Sequence, residues 1–299
     1  MELFHTPEQA LQWADANRDR TVGLVPTMGA LHEGHLSLVR QAKRDCRLCC
    51  ATIFVNPTQF AEGEDLGKYP RTLDADLAGL ADAGCDAVFL PTAEQIYPPG
   101  FSTYVQPPQV ASGWESSSRP THFRGVATVV LKLFHLVPTS HAFFGQKDYQ
   151  QLCVIRAMSR DLNLPVQVVG CPIIRESDGL AMSSRNRYLD SDQRLRARLL
   201  SLALAQADQA IENGVHDVQT LQQLMTQTLS AGTVVDAGGA TATVPGIPVG
   251  GVDSIDYAVL LDADTLQPIE HLQQPFVGLI AARFGSTRLL DNRVWQPVQ

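Results

Sequence analysis

The 299-residue sequence has no apolar run near the ~20 residues needed to cross a bilayer. Its opening Met-Glu-Leu-Phe-His shows no charged-then-apolar leader pattern, so neither a membrane partner nor export is expected. Basic residues are few and scattered. Lys and Arg number 23 against 31 Asp and Glu, giving a formal net charge of −8, which argues against a nucleic-acid partner or an anionic membrane surface. The G-x-x-x-x-G-K-[ST] and G-x-G-x-x-G fingerprints are both absent, which excludes the P-loop and the common dinucleotide grip. A zinc-protease motif is missing too: His32 and His35 stand three apart instead of four, with no third ligand evident, so metal ligands stay unassigned. Six cysteines include one C-x-x-C, Cys46 to Cys49, but no second pair, since Cys85, Cys153 and Cys171 are isolated. Cys49 and Cys50 lead into the apolar run Ala51 to Val55 and read as reduced, strand-buried thiols of a cytoplasmic protein.

What is present is a globular composition, 44% hydrophobic and 18% charged, long enough for two domains. Val22 to Val25 reads as a buried parallel strand. It passes through Pro26 and Gly29 into a helix whose start carries His32, Gly34 and His35. Histidines three apart project from one face, and a helix N-terminus favours an anion. Thr6-Pro7 opens a helix to about Asn17; residues 48–55 and 86–90 read as strands, with a helix from Thr72 as N-cap to Gly84 between them. The polar segment 56–71 is long for a strand-to-helix connection and is expected to be a lid or binding loop. Residues 92–125 read as irregular, followed by a helix over 126–137, a strand over 141–144, a further helix and a strand over 166–169. The expected fold class is α/β, a Rossmann-like parallel sheet with helices on both faces, joined to a smaller C-terminal α+β domain with antiparallel strands.

The boundary is placed at 175: a domain over 1–175 for nucleotide and substrate, and one over 176–299 closing over the site. In the second, two helices are expected over 191–212 and 216–229 and antiparallel strands near 254–261, 276–284 and 287–294. The glycine-rich stretch 231–251 reads as an extended linker or loose hairpin.

A phosphate grip of another kind remains. Lys147 lies in the glycine turn Gly145 to Asp148, just past a strand end, where an ammonium meets phosphate oxygens. Alone, a turn lysine is more often solvated surface. Ser183, Ser184 and Arg185 offer two hydroxyls and a fork-shaped donor, although such a run is by itself more often a capping turn.

With these stretches in view, the sequence resembles the nucleotidylyltransferase superfamily and, within it, the pantothenate synthetase (pantoate–β-alanine ligase) family. The matching segments are VPTMGALHEGH, FVNPTQF, YPRTLDAD, RPTHFRGV, FFGQKDYQQL, DGLAMSSRNRYL and ARFGSTRLLDN, which span almost the whole chain. The resemblance implies ATP-dependent condensation of pantoate with β-alanine through a pantoyl adenylate, releasing pyrophosphate and then AMP. ATP is the co-substrate and Mg²⁺ accompanies it, in a cytoplasmic homodimer. It places Met28, Gly29, Ala30, Leu31, His32, Glu33, Gly34 and His35 along ATP, with His35 as proton donor. Gly145, Gln146, Lys147, Asp148, Ile174, Met182, Ser183, Ser184 and Arg185 match further ATP contacts. His32, His35, Lys147 and Arg185 form the implied catalytic set, and Gln59 and Gln151 the pantoate site, with Gln59 also facing β-alanine. Asn56, Tyr69, Arg119 and His122 lie in matching site-lining segments. Gln146 stands where the family commonly has glutamate, which removes a charge beside Lys147, and the 231–251 stretch is longer than the family leads one to expect. Two rivals remain open: a transferase that adenylates a phosphorylated acceptor, and a nucleotide-binding sensor without catalysis.

Overall fold

Apolar strands alternating with amphipathic helices build a parallel sheet from the first 174 residues. The structure, a computed structural model, describes residues 1–61, 65–235, 241–244, 246–247 and 250–297. In order come β1 (Glu2–Phe4), α1 (Pro7–Ala16), β2 (Val22–Thr27), α2 (Glu33–Asp45), β3 (Leu48–Ile53), α3 (Leu73–Asp82) and β4 (Ala87–Phe89). The short helices α4 (Ala93–Ile96) and α5 (Glu115–Ser118) follow, then α6 (His122–Leu136), β5 (His141–Gly145), α7 (Tyr149–Asp161) and β6 (Gln167–Cys171). The strand order is β1-β4-β3-β2-β5-β6, with every pairing parallel. From β2 the chain moves outward through β3 and β4, then returns to place β5 on the other side of β2. The order reverses between β2 and β5, and sheets of this kind bind ligands beyond the carboxyl ends of the strands at that reversal.

Successive strand residues face opposite layers. Leu24, Cys50, Phe89 and Phe144 pack with Trp13 of α1, Val130 and Leu133 of α6 and Ile155 of α7. Val25, Cys49, Ala51, Val88 and Phe143 pack with Leu38 and Val39 of α2 and Leu80 of α3. Burial on both faces is why these strands read as unbroken apolar runs. Each fully buried Leu, Ile or Phe contributes about 1.5–3 kcal/mol. All six cysteines are reduced and buried.

Several local expectations are corrected. β1 has no counterpart among the expected elements, being three residues long with only Phe4 buried. β2 continues through Pro26 to Thr27; β5 pairs only with Gly23 and Leu24, so the missing N–H of Pro26 lies beyond that ladder. β3 ends at Ile53, two residues earlier than expected. Thr72 makes no side-chain cap on α3; its hydroxyl donates to Asp76 at 3.0 Å instead. The segment 92–125 is partly helical, and α6 begins at His122, four residues before the expected start, carrying Gly125 inside it.

The second unit, Arg175–Gln299, holds α8 (Ser191–Ala197), α9 (Leu199–Glu212), α10 (Val218–Ala231), the antiparallel pair β7 (Thr233–Val235) and β8 (Thr241–Thr243), and an antiparallel sheet. That sheet orders β9 (Ser254–Asp262), β10 (Phe276–Phe284) and β11 (Thr287–Trp295) as β11-β10-β9. Leu200, Leu204, Leu221 and Met225 pack on Phe276, Ile280 and Phe284. The single helix expected over 191–212 is broken at Arg198, whose N–H reaches the carbonyl of Leu195, a tighter turn than the α-helix makes. Residues 62–64 of the segment expected to be a lid or binding loop, and residues 236–240, 245 and 248–249 of the expected linker or loose hairpin, lie outside the described residues. Among the described residues no helix is long and apolar enough to cross a membrane.

Candidate functional site

The segment leaving β2 turns through Gly29 (φ 80°) and Ala30 (φ 51°), two left-handed residues in succession. For alanine that conformation costs of order 1 kcal/mol or more and needs holding. The buried carboxylate of Asp76 in α3 does so, accepting from the Ala30 amide at 2.9 Å and the Leu31 amide at 2.8 Å. Sequence reasoning missed Asp76; its one signal was its place in the YPRTLDAD stretch.

At the start of α2 two imidazoles form the capping box that Ser and Glu usually form. His32 Nδ1 accepts from the Gly34 amide at 3.1 Å, and His35 Nδ1 accepts from the His32 amide at 3.4 Å. A nitrogen that accepts carries no hydrogen, so the neutral rings hold their protons on Nε2. The ring centres lie 4.1 Å apart. His35 is partly buried, and its pKa falls to about 3: lost solvation is the main cause, followed by the neighbouring His32, with Lys147 adding and Asp148 opposing. His35 is therefore a neutral N–H donor near pH 7.

Lys147 and Asp148 sit in a single 3₁₀ turn, Gln146–Asp148, between β5 and α7. β5 pairs in parallel with β2 and packs against α2, so the turn after β5 and the start of α2 lie at the same end of the sheet across the reversal in strand order, and the charges of Lys147 and Asp148 act on His35. Lys147 Nζ lies 3.7 Å from Asp148 Oδ1. A Cβ added to Gly145 would meet no protein atom within 4 Å, so the space at the end of β5 stays open. Glu33 pairs with Arg40 along α2.

After β3, Asn56 and Gln59 are both buried. His122 donates through Nδ1 to the Gln59 carbonyl at 2.9 Å, and Arg119 Nη2 donates to the same oxygen at 3.2 Å. Burial, and then the Arg119 charge, push the His122 pKa down to about 4. Gly125 allows this approach: a Cβ there would lie 2.4 Å from the Thr58 carbonyl oxygen. Tyr69 is buried edge-on to Phe60 at 6.0 Å and packs with Ala30 and Met28. On α7, Gln150 is buried and bonds the 110–115 segment, donating to the Val110 carbonyl and accepting from the Glu115 amide. The neighbouring Gln151 is only partly buried, and its side chain forms no hydrogen bond among the described residues.

Ile174 closes the first unit, and Met182, Ser183, Ser184 and Arg185 belong to the second. There Ser183 caps a 3₁₀ turn, Ser184–Tyr188, by accepting from the Arg185 amide at 3.3 Å. Asn186 ties the turn to Glu176 at 2.7 Å and to the Ala181 carbonyl at 3.1 Å. Arg194 in turn holds Glu176 through two hydrogen bonds, which keep that carboxyl below its usual range, and also holds Asp178 at 2.9 Å. The hydroxyls and the guanidinium thus sit on a turn braced by an ion-pair network within its own unit. Among the described residues no group of three or more His, Cys, Asp or Glu could hold a metal ion by itself.

The family model described as pantoate-beta-alanine ligase matches residues 2–294 of the chain. A pantothenate synthetase of Rhodopirellula baltica is 52% identical over 298 residues, covering 98% of each chain. A crystal structure of pantothenate synthetase from Thermus thermophilus superposes with a TM-score of 0.86 at 42% identity, over 98% of this chain and 99% of that one. The Francisella tularensis pantoate-beta-alanine ligase, solved in complex with beta-gamma ATP and beta-alanine, aligns over the whole of both chains with a TM-score of 0.75 and 29% identity.

Proposed function

The chain belongs to the pantoate–β-alanine ligase family, and from that premise we propose that it condenses pantoate with β-alanine, using ATP, in two steps. A pantoate carboxylate oxygen attacks the α-phosphorus, and the bond to the bridging oxygen breaks to release pyrophosphate. The β-alanine amine then attacks the acyl carbon, loses a proton, and AMP leaves with the electrons of the acyl C–O bond. In-line attack concentrates negative charge on phosphate oxygens, which fixed donors stabilise better than a covalent nucleophile would.

The observation that carries this reading is the placement of His32, His35 and Lys147 at the carboxyl ends of β2 and β5. Both imidazoles present Nε2 hydrogens, the α2 N-terminus adds its dipole, and Gly145 leaves room for phosphate. A neutral His35 stabilises the departing pyrophosphate by hydrogen bonding and does not arrive already charged. Met28 to Leu31 and Glu33 to Gly34 lie along the nucleotide, and Ile174 and Met182 to Arg185 supply its remaining contacts. Gln59 and Gln151, neutral amides, hold pantoate. Mg²⁺ accompanying the nucleotide would neutralise charge on its phosphates.

We also assign a cytoplasmic homodimer with small-molecule partners only; sedimentation velocity tests the dimer. Pyrophosphate–ATP exchange tests the chemistry: exchange that depends on pantoate is expected. Exchange requiring a phosphorylated acceptor, or none with any acid, would overturn the assignment.

A further inference from the structure

The Asn56 carboxamide is buried just beyond β3 with both ends committed. Oδ1 accepts from Tyr97 Oη at 2.8 Å, Thr58 Oγ at 2.9 Å and the Thr58 amide at 3.3 Å. Nδ2 donates to the Gly125 carbonyl at 3.2 Å and to Gln59 Oε1 at 3.1 Å. Two backbone groups decide which way round Asn56 stands, since the Thr58 N–H can only donate and the Gly125 carbonyl can only accept. A reversed amide would set hydrogen against hydrogen and oxygen against oxygen. With Asn56 fixed, the second Nδ2 hydrogen demands an oxygen from Gln59. Gln59 Nε2 then faces the other way, 3.1 Å from Met28 Sδ, where the segment between β2 and α2 begins.

We propose that Tyr97 is a positioning residue for Gln59: its hydroxyl, acting through Asn56, holds the Gln59 carboxamide with the NH₂ end toward pantoate, whose oxygens accept. The inference rests on the reading that Gln59 holds pantoate. Tyr97 is itself anchored, its ring centre 6.3 Å from that of Phe54 and 5.0 Å from that of Phe101, with Thr58 Oγ a further 3.1 Å contact of the hydroxyl. Burial pushes its pKa up to about 12, so the phenol keeps its hydrogen near neutral pH. Without that donor Asn56 keeps its two backbone partners but loses its shortest bond, so the amide that holds Gln59 Oε1 is less firmly placed and the Gln59 carboxamide gains freedom to turn.

Tyr97→Phe removes the hydroxyl and keeps the ring. Steady-state kinetics are expected to show the pantoate KM rising about threefold to tenfold, with the ATP KM changed less than about twofold. In a Gln59→Ala background the same substitution should leave the pantoate KM within about 1.5-fold, because the residue it positions is gone. An unchanged pantoate KM, an equal rise in both backgrounds, or a matching rise for ATP would overturn the inference. A Gln59→Ala enzyme with unaltered pantoate KM would instead overturn the assignment of Gln59 itself. Should Tyr97→Phe fail to fold, Thr58→Val removes the other hydroxyl on Oδ1; a rise in pantoate KM is expected, and its absence counts equally against the inference.

Discussion

Asp76 holds Ala30 in a left-handed turn from 46 positions away in the chain, with Oδ2 2.9 Å from the Ala30 amide and Oδ1 2.8 Å from the Leu31 amide. Asp76→Asn keeps the shape but replaces one acceptor with a donor that faces a backbone N–H. A loss of about 2 kcal/mol in unfolding free energy is expected by urea titration, with a raised ATP KM. Unchanged stability would mean that the turn holds itself.

Gly125 is required by space and not by backbone angle. A Cβ would meet the Thr58 carbonyl oxygen at 2.4 Å and the Gln59 nitrogen at 2.6 Å, both backbone atoms that cannot rotate away. In an open helix Gly→Ala would stabilise by about 1 kcal/mol. Here Gly125→Ala is expected to destabilise by about 1–3 kcal/mol and to weaken pantoate binding, read from thermal unfolding and the pantoate KM.

The two depressed histidines fix a pH dependence. His122 titrates at about 4 and His35 at about 3 in the folded chain, both below the ordinary 6.5. Between about pH 6.5 and these values the unfolded chain binds protons that the folded chain refuses. Stability is therefore full above about pH 6.5 and falls with acidification, by up to about 1.4 kcal/mol per pH unit for each group. Urea midpoints at about pH 7, 6 and 5 should decline in that order, and His122→Asn should make the decline shallower. A flat profile would show that these rings are already solvated.

His35→Ala is expected to lower turnover about 10²- to 10³-fold with the fold intact by circular dichroism. A loss below about fivefold would remove His35 from the mechanism. Gln151→Ala should raise the pantoate KM and leave the ATP KM alone; the reverse pattern would move Gln151 to the nucleotide.

The parallel sheet was legible because β2, β3 and β5 are apolar on both faces, a signal that survives without knowledge of the neighbours. The His32–His35 pair and Lys147 were legible because turn glycines mark where strands end. β1 was not, since three residues carry no period and its partner β4 lies 85 residues downstream. Asp76 and Tyr97 were hidden for a related reason. Each acts on a segment remote in sequence, through a backbone amide or another amide side chain, and nothing in the local pattern records that contact. The early start of α6 was missed because Gly125, which reads as a helix breaker, is kept for its closeness to Thr58.

The parallel sheet also has a second rim. The connections 17–21, 46–47, 83–86 and 162–166 all enter strands at their amino ends and hold none of the residues assigned to chemistry. Arg18, Asp19 and Asn163 there are exposed, and Asn163 adopts φ 52°. A fluorophore or surface tether attached at that rim would report on the enzyme, or immobilise it, while leaving the opposite mouth unobstructed.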